Sequence, residues 1–483
     1  MINNQNTLVT ATTAFKWAFA GKILKNGGTF LISIFLARIL DPRDFGLIAI
    51  VTVFTALASV FSDMGLSGAI IQRKRLLKIH IDSVFFFNLF ISLLFTITVF
   101  LLAPYIANYY EDQLLILIIR VISFTFVLNA FSTMQNALLK KSINFKTFSK
   151  IQVVSSIVSG VASLILAYLG FGIWSLVIGI IIDSLLYNVI IWTISKYKPS
   201  FQFSFKALKI LWGFGFRMFL SKLLDSFFNQ IDYLITGKVM NLNVLGYYQR
   251  SKSLSSLVHR YSSESIIYVM FPILSSIQHD RKLFYQKIFN IYNIILISSF
   301  FISGVLFVTA EDIISFIYGK KWIDTVPIFE IMILGGVILP INGLFSTILS
   351  SSGMSKAYLK LEFIKKLFFS IPIILFVFSK SLEVYLYSNL LVGGLLIFFS
   401  IYYIKVCKQV EMSLFTKPFF KSFAIFIVTI FLAKKFLVFS FDYKIINIAY
   451  KAICFFIFYY SFSYILKVSG LSLIVNKLKS IKF

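Results

Sequence analysis

The stretch LWGFGFRMFLSKLLDSFFNQIDYLITGKVMNLNVLGYYQRSKSLSSLVHRYSSESIIYVMFPIL covers residues 211–274 and consists of two apolar segments joined by a turn at 241–246. Each segment is long enough to cross a bilayer as an α-helix. Both nevertheless carry polar residues at helical spacing, which places these residues on one side of each helix. The two stripes are Met218, Lys222, Asp225, Asn229 and Asp232, and then Gln249, Ser253, Ser256, Arg260 and Glu264. Because charged groups at membrane depth usually face a bundle interior or a water-filled cavity, the hairpin predicts a polar path through a membrane.

The composition indicates an integral membrane protein. Of the 483 residues, 59% are hydrophobic and 13% are charged, and the mean hydropathy is +0.89. A soluble chain of this length needs far more polar surface. Apolar runs recur along the chain, so we predict an all-α polytopic membrane protein with about fourteen transmembrane helices. The predicted spans are 15–40, 45–70, 83–104, 114–138, 149–169, 172–195, 210–237, 245–273, 285–309, 326–350, 357–379, 382–405, 419–437 and 445–467.

The net charge of +27 does not indicate a nucleic-acid partner, because no polar domain is available to present a basic face. The basic residues instead cluster in alternate loops between the predicted spans. Residues 73–78, 140–146 and 196–209 form such loops, whereas 105–113 contains no basic residue. The positive-inside rule therefore predicts that both termini are cytoplasmic. The last outer loop, 434–444, departs from this pattern because it contains three lysines.

Two turns share a sequence pattern that indicates an internal repeat. LDPRDFGL at 40–47 aligns with MNLNVLGY at 240–247, and FST occurs at both 131–133 and 345–347. The first alignment places Lys22 opposite Lys222 and Lys25 opposite Asp225. A repeat with an even number of helices keeps its topology, so we predict two six-helix halves in parallel pseudo-repeat that form a V-shaped central cavity. The predicted halves are 1–209 and 210–410, followed by two extra helices and a cytoplasmic tail in 411–483.

Several motifs resemble those of bacterial polysaccharide exporters. LDPRDFG at 40–46 and SDMGLSGAIIQR at 62–73 are similar to the opening of these proteins. The resemblance continues in the same order with QNALL at 135–139, IDYLITGK at 231–238, LGYYQR at 245–250 and VMFPILS at 269–275. The chain thus resembles the Wzx-type O-antigen flippases of the multidrug/oligosaccharidyl-lipid/polysaccharide superfamily, and in particular the colanic acid exporter-like branch.

This resemblance implies a function, a location and partners. The function is translocation of undecaprenyl-pyrophosphate-linked oligosaccharide repeat units from the cytoplasmic to the periplasmic leaflet by alternating access. The product would serve lipopolysaccharide O-antigen, exopolysaccharide or capsule synthesis. The implied location is the bacterial inner membrane, where the lipid bilayer, a polysaccharide polymerase and other biosynthetic membrane proteins are the implied partners.

A pyrophosphate that crosses a membrane needs cationic partners, because an unpaired charge in hydrocarbon is costly. Lys25 lies about ten residues into its predicted helix, or roughly 15 Å along it, which is near mid-membrane depth. We therefore predict that Lys25, Lys222 and Arg260 hold the pyrophosphate. The full set of predicted substrate-binding residues is Lys25, Lys222, Arg260, Arg250, Arg217, Asn229 and Gln230. The alternative for each cation is a structural ion pair or, near a helix end, a side chain that extends to the interface.

The acidic residues in these segments have two interpretations that the sequence leaves open. They are candidates for coupling to a sodium or proton gradient, or for counter-charges to the nearby cations. These residues are Asp63, Asp225, Asp232 and Glu264. Lys222 and Asp225, three residues apart, could neutralise each other. We expect no cofactor and no metal site, because two cysteines and three histidines are scattered along the chain.

Three other functions are considered. A drug/cation antiporter of the same superfamily would favour an acidic cavity over this mixed, cation-rich one. A membrane polysaccharide polymerase, ligase or lipid-linked glycosyltransferase would need catalytic residues on a sizeable loop, and neither such a loop nor a nucleophile–base cluster is evident. We therefore expect a transporter with no catalytic residues, and not an enzyme. A scaffold without transport activity would have little use for polar stripes in the membrane.

Overall fold

The computed structural model describes residues 4–73, 75–259, 262–263, 265–408, 411–436, 441 and 443–473. All regular elements within these ranges are helical. The chain forms two compact units, Met1–Gly246 and Tyr247–Phe483. The predicted boundaries at 209 and 410, the pseudo-repeat of two halves and the V-shaped cavity stay predictions.

The first unit contains eight helices and the beginning of a ninth. They are α1 (Asn4–Ile39), α2 (Pro42–Asp63), α3 (Leu66–Gln72), α4 (Lys78–Tyr110), α5 (Leu114–Lys141), α6 (Phe145–Tyr168), α7 (Trp174–Ile194), α8 (Phe205–Val239) and α9 (Leu242–His259). Proline near the start and a capping box between Asp41 and Asp44 explain why α2 begins at residue 42.

A break divides the predicted helix 45–70 into α2 and α3. Met64 and Gly65 both adopt positive φ, 44° and 67° respectively. A Cβ at Gly65 would overlap the carbonyl oxygen of Gly215 on α8. Glycine therefore permits both the left-handed backbone and the close approach of α8. Apolar periodicity alone did not reveal this break, because apolar residues predominate before Ser62 and resume after Gly68.

Among its described residues, the second unit continues α9 and adds, besides short 3-10 turns at Lys320–Trp322 and Gly335–Val337, nine more α-helices. They are α10 (Ser265–Ser276), α11 (Arg281–Val308), α12 (Ala310–Ile317), α13 (Thr325–Leu334), α14 (Ile338–Ser351), α15 (Ser355–Ser379), α16 (Leu382–Lys408), α17 (Ser413–Phe436) and α18 (Lys444–Ile465). Its core centres on Tyr292, Phe345 and Phe415, whose ring centroids are 5.2 to 5.8 Å apart. The Tyr292 hydroxyl donates a hydrogen bond of 2.9 Å to the carbonyl oxygen of Phe415, which satisfies its buried polar atom.

Ten helical segments within the described residues are long and apolar enough to cross a membrane, when α13 and α14, joined by a 3-10 turn at Gly335–Val337, are counted as one segment. The chain is therefore an all-α membrane protein with multiple spans. The predicted segments 15–40, 210–237 and 357–379 also form long helices, α1, α8 and α15, but these three are not among the ten. Each of them contains charged residues within its apolar sequence. Helices α1, α8 and α15 are therefore the strongest candidates to contain a functional site, because they carry charged residues within apolar sequence. The predicted number of about fourteen spans stays a prediction.

Candidate functional site

The α8 polar stripe, which we define as Lys222, Asp225, Asn229 and Asp232, changes from exposed to buried along the helix. Lys222, Asp225 and Asn229 are exposed, and Asp232 is buried. Of the other predicted residues on α8, Arg217 is exposed and Gln230 is half-buried. Three of the four stripe residues are therefore accessible at the surface of α8.

Lys222 forms an ion pair with Asp63, the last residue of α2. Lys222 Nζ lies 2.7 Å from Asp63 Oδ2, and the two side chains are 45% and 14% exposed. Asp63 Oδ1 also accepts a hydrogen bond of 3.0 Å from the backbone N–H of Ser67. The break between α2 and α3 thus fixes the carboxylate that orients Lys222. Because Lys222 remains nearly half-exposed, its ammonium can still contact a second anion.

Lys25, on α1, is half-buried and lies within electrostatic range of Asp183 on α7. Asp183 is next to Ser155 and Ser159 of α6. Its Oδ1 atom is buried and has no hydrogen-bond partner among the described residues. Lys25 therefore has a carboxylate neighbour that the sequence analysis did not identify.

Asp183 could have been found from the sequence. It is the only charged residue in the 21-residue apolar helix α7, and a lone carboxylate in such a helix is costly. One turn further along α7, the Tyr187 hydroxyl donates a short hydrogen bond to Asn136 Oδ1 on α5. Polar contacts between helices therefore continue along this side of α7.

The predicted residues on α9 are only partly described. Arg250 is buried, and its guanidinium carbon lies 5.7 Å from the centroid of the Tyr318 ring. The guanidinium of Arg250 thus makes a cation–π contact with Tyr318 inside the second unit. Arg260 and Glu264 lie outside the described residues, so their proposed roles rest on the sequence alone.

A buried polar cluster in the second unit was not predicted. Lys365 on α15 is 7% exposed, and its Nζ lies 3.1 Å from Glu362 Oε1. It also donates to Ser346 Oγ at 2.6 Å and to the carbonyl oxygen of Asn342 at 3.0 Å. Ser400 on α16 donates to Asn342 Oδ1 at 3.2 Å. The Lys365–Glu362 pair lies within α15, and the hydrogen bonds to Asn342 and Ser346 join α14, α15 and α16. Ionisable side chains in such a position are rare and costly inside a membrane protein.

These features favour binding of an anionic and polar ligand. Lys222 offers a partly exposed cation, and Asn229, also exposed, carries donor and acceptor groups on the same stripe. Lys25 places a second cation within the first unit. Asp63 pairs directly with Lys222, and Asp183 is a carboxylate within electrostatic range of Lys25.

Comparison with known sequences identifies the family. A family described as "Polysaccharide biosynthesis protein" matches residues 35–327, which is more than half of the chain. The chain belongs to this family. The matched region contains the α2–α3 break, all of the α8 polar stripe and the whole of α9.

Two relatives of this polysaccharide biosynthesis protein are named for export or synthesis of a glycan. The succinoglycan biosynthesis transport protein ExoT of Rhizobium meliloti (strain 1021) is 25% identical over 337 residues, which cover 68% of this chain and 67% of the relative. The lipopolysaccharide biosynthesis protein WzxC of Escherichia coli (strain K12) is 21% identical over 364 residues, which cover 74% and 73% of the two chains.

A solved structure has the same fold. The lipid II flippase MurJ in an inward closed conformation superposes with a TM-score of 0.75 at 19% identity. The match covers 94% of this chain and 98% of the flippase chain. The chain therefore shares its fold with this solved structure. The family match and the two named relatives confirm the resemblance inferred from the motifs.

Proposed function

We propose that the chain translocates undecaprenyl-pyrophosphate-linked oligosaccharide repeat units from the cytoplasmic to the periplasmic leaflet by alternating access. The exported glycan would be O-antigen, exopolysaccharide or capsule. The observation that carries this proposal is the Lys222–Asp63 pair, in which Lys222 is held by Asp63 at 2.7 Å yet remains 45% exposed. Membership of the polysaccharide biosynthesis family and the names of the two relatives support the choice of a lipid-linked glycan.

The physical task is to move a pyrophosphate and several sugars through a low-dielectric layer. A charge of this kind crosses only if protein groups replace its water shell. In the proposal, Lys222 and Lys25 pair with the pyrophosphate oxygens, and Asp63 and Asp183 hold the two lysines when the site is empty. Asn229 and Gln230 bond sugar hydroxyls. Arg217, which is exposed, contributes nearer one end of the path. Arg260 is a third proposed pyrophosphate ligand. The predicted role of Arg250 nearer the other end stays a prediction, because its side chain is buried beside Tyr318.

The proposed location is the bacterial inner membrane, with both termini in the cytoplasm. Within the first unit, one end carries the basic loops 73–78, 140–146 and 196–209, whereas the opposite end contains the acidic turn 111–112. The positive-inside rule makes the basic end cytoplasmic. A polysaccharide polymerase and other biosynthetic membrane proteins are proposed as neighbours that receive or supply the glycan.

Coupling to a sodium or proton gradient is part of the proposal. The predicted candidates are Asp63, Asp225, Asp232 and Glu264. Lys365 and Glu362 are further candidates, because a buried lysine and its partly exposed carboxylate partner can change protonation or partners. A change of partner there would alter how α14, α15 and α16 pack.

The experiment that tests the function measures leaflet exposure of a fluorescent undecaprenyl-pyrophosphate oligosaccharide in proteoliposomes. We compare wild type with Lys25→Glu, Lys222→Glu and Arg260→Glu, and with the matched control Lys209→Glu. Lys209 is an exposed lysine on α8 that lies outside the α8 polar stripe. The expected result is translocation by wild type and the control and loss of translocation in the three variants, with all proteins folded.

Other outcomes would support different functions. A glycan that is lengthened or modified during the assay would indicate a polymerase or glycosyltransferase, since a flippase leaves the glycan chemically unchanged. Export of organic cations without movement of any lipid-linked glycan would indicate a drug/cation antiporter. Translocation that all three charge reversals leave intact would keep the flippase function and reject the proposed cationic site.

A further inference from the structure

A cavity of about 350 Å³ lies at one end of the first unit, where α2 begins and where α4 and α8 end. Its lining includes Arg43, Tyr110, Glu111, Asp112 and Lys238. Two asparagines at the start of α9, Asn241 and Asn243, complete the polar part of the wall. The cavity is separate from the α8 polar stripe, which occupies residues 222–232.

Tight backbone contacts fix the frame of this cavity. A Cβ at Gly46 would overlap the carbonyl oxygen of Leu242, and a Cβ at Gly246 would overlap the carbonyl oxygen of Pro42. The Tyr110 hydroxyl donates a hydrogen bond of 3.1 Å to the carbonyl oxygen of Leu234 on α8. The turns that line the cavity are thus held against each other by backbone packing, and the cavity is preformed.

Two ion pairs cross the lining. Arg43 Nη2 lies 2.5 Å from Asp112 Oδ2, and Asp112 is buried. Lys238 Nζ lies 3.1 Å from Glu111 Oε1 and donates at 2.7 Å to the carbonyl oxygen of Tyr109. Each cation that faces the cavity is therefore already paired with a carboxylate that also faces it.

The charges of the lining sum to zero. Arg43 and Lys238 contribute two positive charges, and Glu111 and Asp112 contribute two negative charges. Helix N-termini normally attract anions, but at each helix start at this end a side chain already accepts one backbone N–H. Asp44 Oδ2 accepts from the backbone N–H of Asp41 before α2, Asp112 Oδ1 accepts from Leu114 on α5, and Asn241 Oδ1 accepts from Val244 on α9. An anionic ligand therefore gains no net attraction from this cavity.

What the cavity offers is a dense set of donors and acceptors beside an aromatic ring. The guanidinium of Arg43, the carboxylate of Glu111 and the amide of Asn241 provide both kinds of hydrogen-bonding group. Asn243 is exposed in the lining and is not needed as a ligand. The Tyr110 ring and the side chains of Met240 and Leu242 add apolar surface. A neutral ligand with many hydroxyl groups and a less polar ring face has matching chemistry.

We propose that this cavity is a binding subsite for a neutral sugar unit. The inference rests on the proposed function, because it takes the sugar to be part of the translocated glycan. By the positive-inside rule the cavity lies at the periplasmic end. It would thus hold the leading sugars as the glycan emerges, while the pyrophosphate remains with the cationic residues on α1 and α8.

Labelling protection at Asn243→Cys tests this subsite without any transport step. The full chain carries Cys407→Ser and Cys454→Ser so that the new thiol is the only one. The rate of maleimide labelling is measured with maltose, lactose or chitobiose, and separately with inorganic pyrophosphate. Asn108→Cys is the matched control, because Asn108 is exposed near the same end but does not line the cavity.

The expected result is protection at residue 243 by at least one neutral sugar, with no protection at residue 108. At a sugar concentration about twice its Kd, the labelling rate falls about threefold, since the free fraction is 1/(1 + [L]/Kd). Glu111→Gln in the Asn243→Cys background leaves Lys238 without its carboxylate and gives the cavity a positive charge. Pyrophosphate should protect this variant but not its parent. Glu111 is exposed, so this change leaves the fold intact.

Protection of the parent by pyrophosphate alone would overturn the proposal in favour of an anion site. Equal labelling with and without every sugar would overturn it as well. The flippase function has its own readout in proteoliposomes. If the protein translocates glycan but sugars do not protect residue 243, only the proposed subsite is rejected. If sugars protect residue 243 but no glycan is translocated, only the proposed flippase function is rejected.

Discussion

Gly46 of α2 packs directly against the backbone carbonyl of Leu242, the first residue of α9. The reciprocal contact, between Gly246 and Pro42, is also present. The sequence repeat aligns Gly46 with Gly246 and Pro42 with Leu242, so each turn makes the contact that its counterpart makes. Two copies of one motif that meet in this way are related locally by an approximate two-fold operation.

Alanine at Gly46 or Gly246 should therefore destabilise the protein. The added Cβ would overlap backbone atoms, which cannot move aside as a flexible side chain can, and overpacking of this kind costs about 1–3 kcal/mol. The measurement is the thermal unfolding midpoint of each purified variant in detergent. The matched control is Gly213→Ala on α8, where an added Cβ has no neighbour within 4 Å. Equal midpoints for Gly46→Ala and Gly213→Ala would contradict the contact.

Replacing Lys222 should reduce transport much more than stability. The pair with Asp63 is partly exposed, with Lys222 at 45%, and exposed pairs contribute about 0–1 kcal/mol. Loss of a charge-assisted contact to pyrophosphate costs about 1.5–3 kcal/mol, which slows translocation roughly 10- to 100-fold. We expect this for Lys222→Gln and a smaller effect for Lys222→Arg. Translocation rates per folded protein, read beside unfolding midpoints, separate the two effects.

The comparison between sequence and structure shows what apolar periodicity can predict. It locates most helices to within a few residues, because burial in lipid imposes length and composition directly on the chain. It does not pair residues across helices. Asp63 and Lys222 are 159 residues apart, and only tertiary packing brings them together. The short helix α12 was not predicted, because its eight residues carry two carboxylates in the first turn and are too few to resemble a transmembrane span.

Site residues depend even more on packing. Lys365 lies in the run KLEFIKKLFF at 360–369, which reads as the basic end of a helix. The structure instead buries its ammonium against Glu362 and Ser346. Asp183 is the opposite case, because its isolation in an apolar helix could have identified it. A search for every ionisable residue in the apolar runs would have found both.

Glu362→Gln should destabilise the second unit more than Lys365→Met does. Removing the carboxylate leaves an ammonium that is 7% exposed, whereas removing the lysine leaves a carboxylate that is 32% exposed. Loss of one partner from a buried pair costs about 3–5 kcal/mol, and replacement of both partners costs less. The double variant should therefore recover part of the loss. A double-mutant cycle of unfolding free energies measures this, and strictly additive single effects would contradict the pairing.

The linker between α7 and α8 should lose stability at alkaline pH through Tyr197. The Tyr197 hydroxyl donates a hydrogen bond of 2.6 Å to Asp82 Oδ1, and burial together with this carboxylate raises the pKa of Tyr197 above its usual value of 10.0. The folded protein therefore keeps this proton at a pH where the unfolded chain has lost it. The stabilisation is complete below pH 10 and decreases as the pH rises further.

Tyr197→Phe provides the comparison for this effect. It lacks the hydrogen bond, so it should unfold at a lower temperature than wild type near neutral pH. The difference between the two midpoints should shrink as the pH rises above about 10. The measurement is a series of thermal unfolding curves across this pH range. A difference that stays constant would show that the Tyr197 proton is not linked to folding.

Variants of Lys25 and Asp183 show whether Lys25 binds the ligand or serves a structural role. If Lys25 pairs with pyrophosphate, Lys25→Gln slows translocation roughly 10- to 100-fold, because one charge-assisted contact is lost. Asp183→Asn keeps the cation and removes only its neighbour, so translocation should stay within a few-fold of wild type.

If instead Lys25 serves mainly to neutralise Asp183, the two variants should have similar effects on both stability and transport. Lys25→Gln with Asp183→Asn would then restore both, since the buried charge is gone. The rate of leaflet exchange in proteoliposomes and the unfolding midpoint, measured for both single variants and the double variant, decide between these roles.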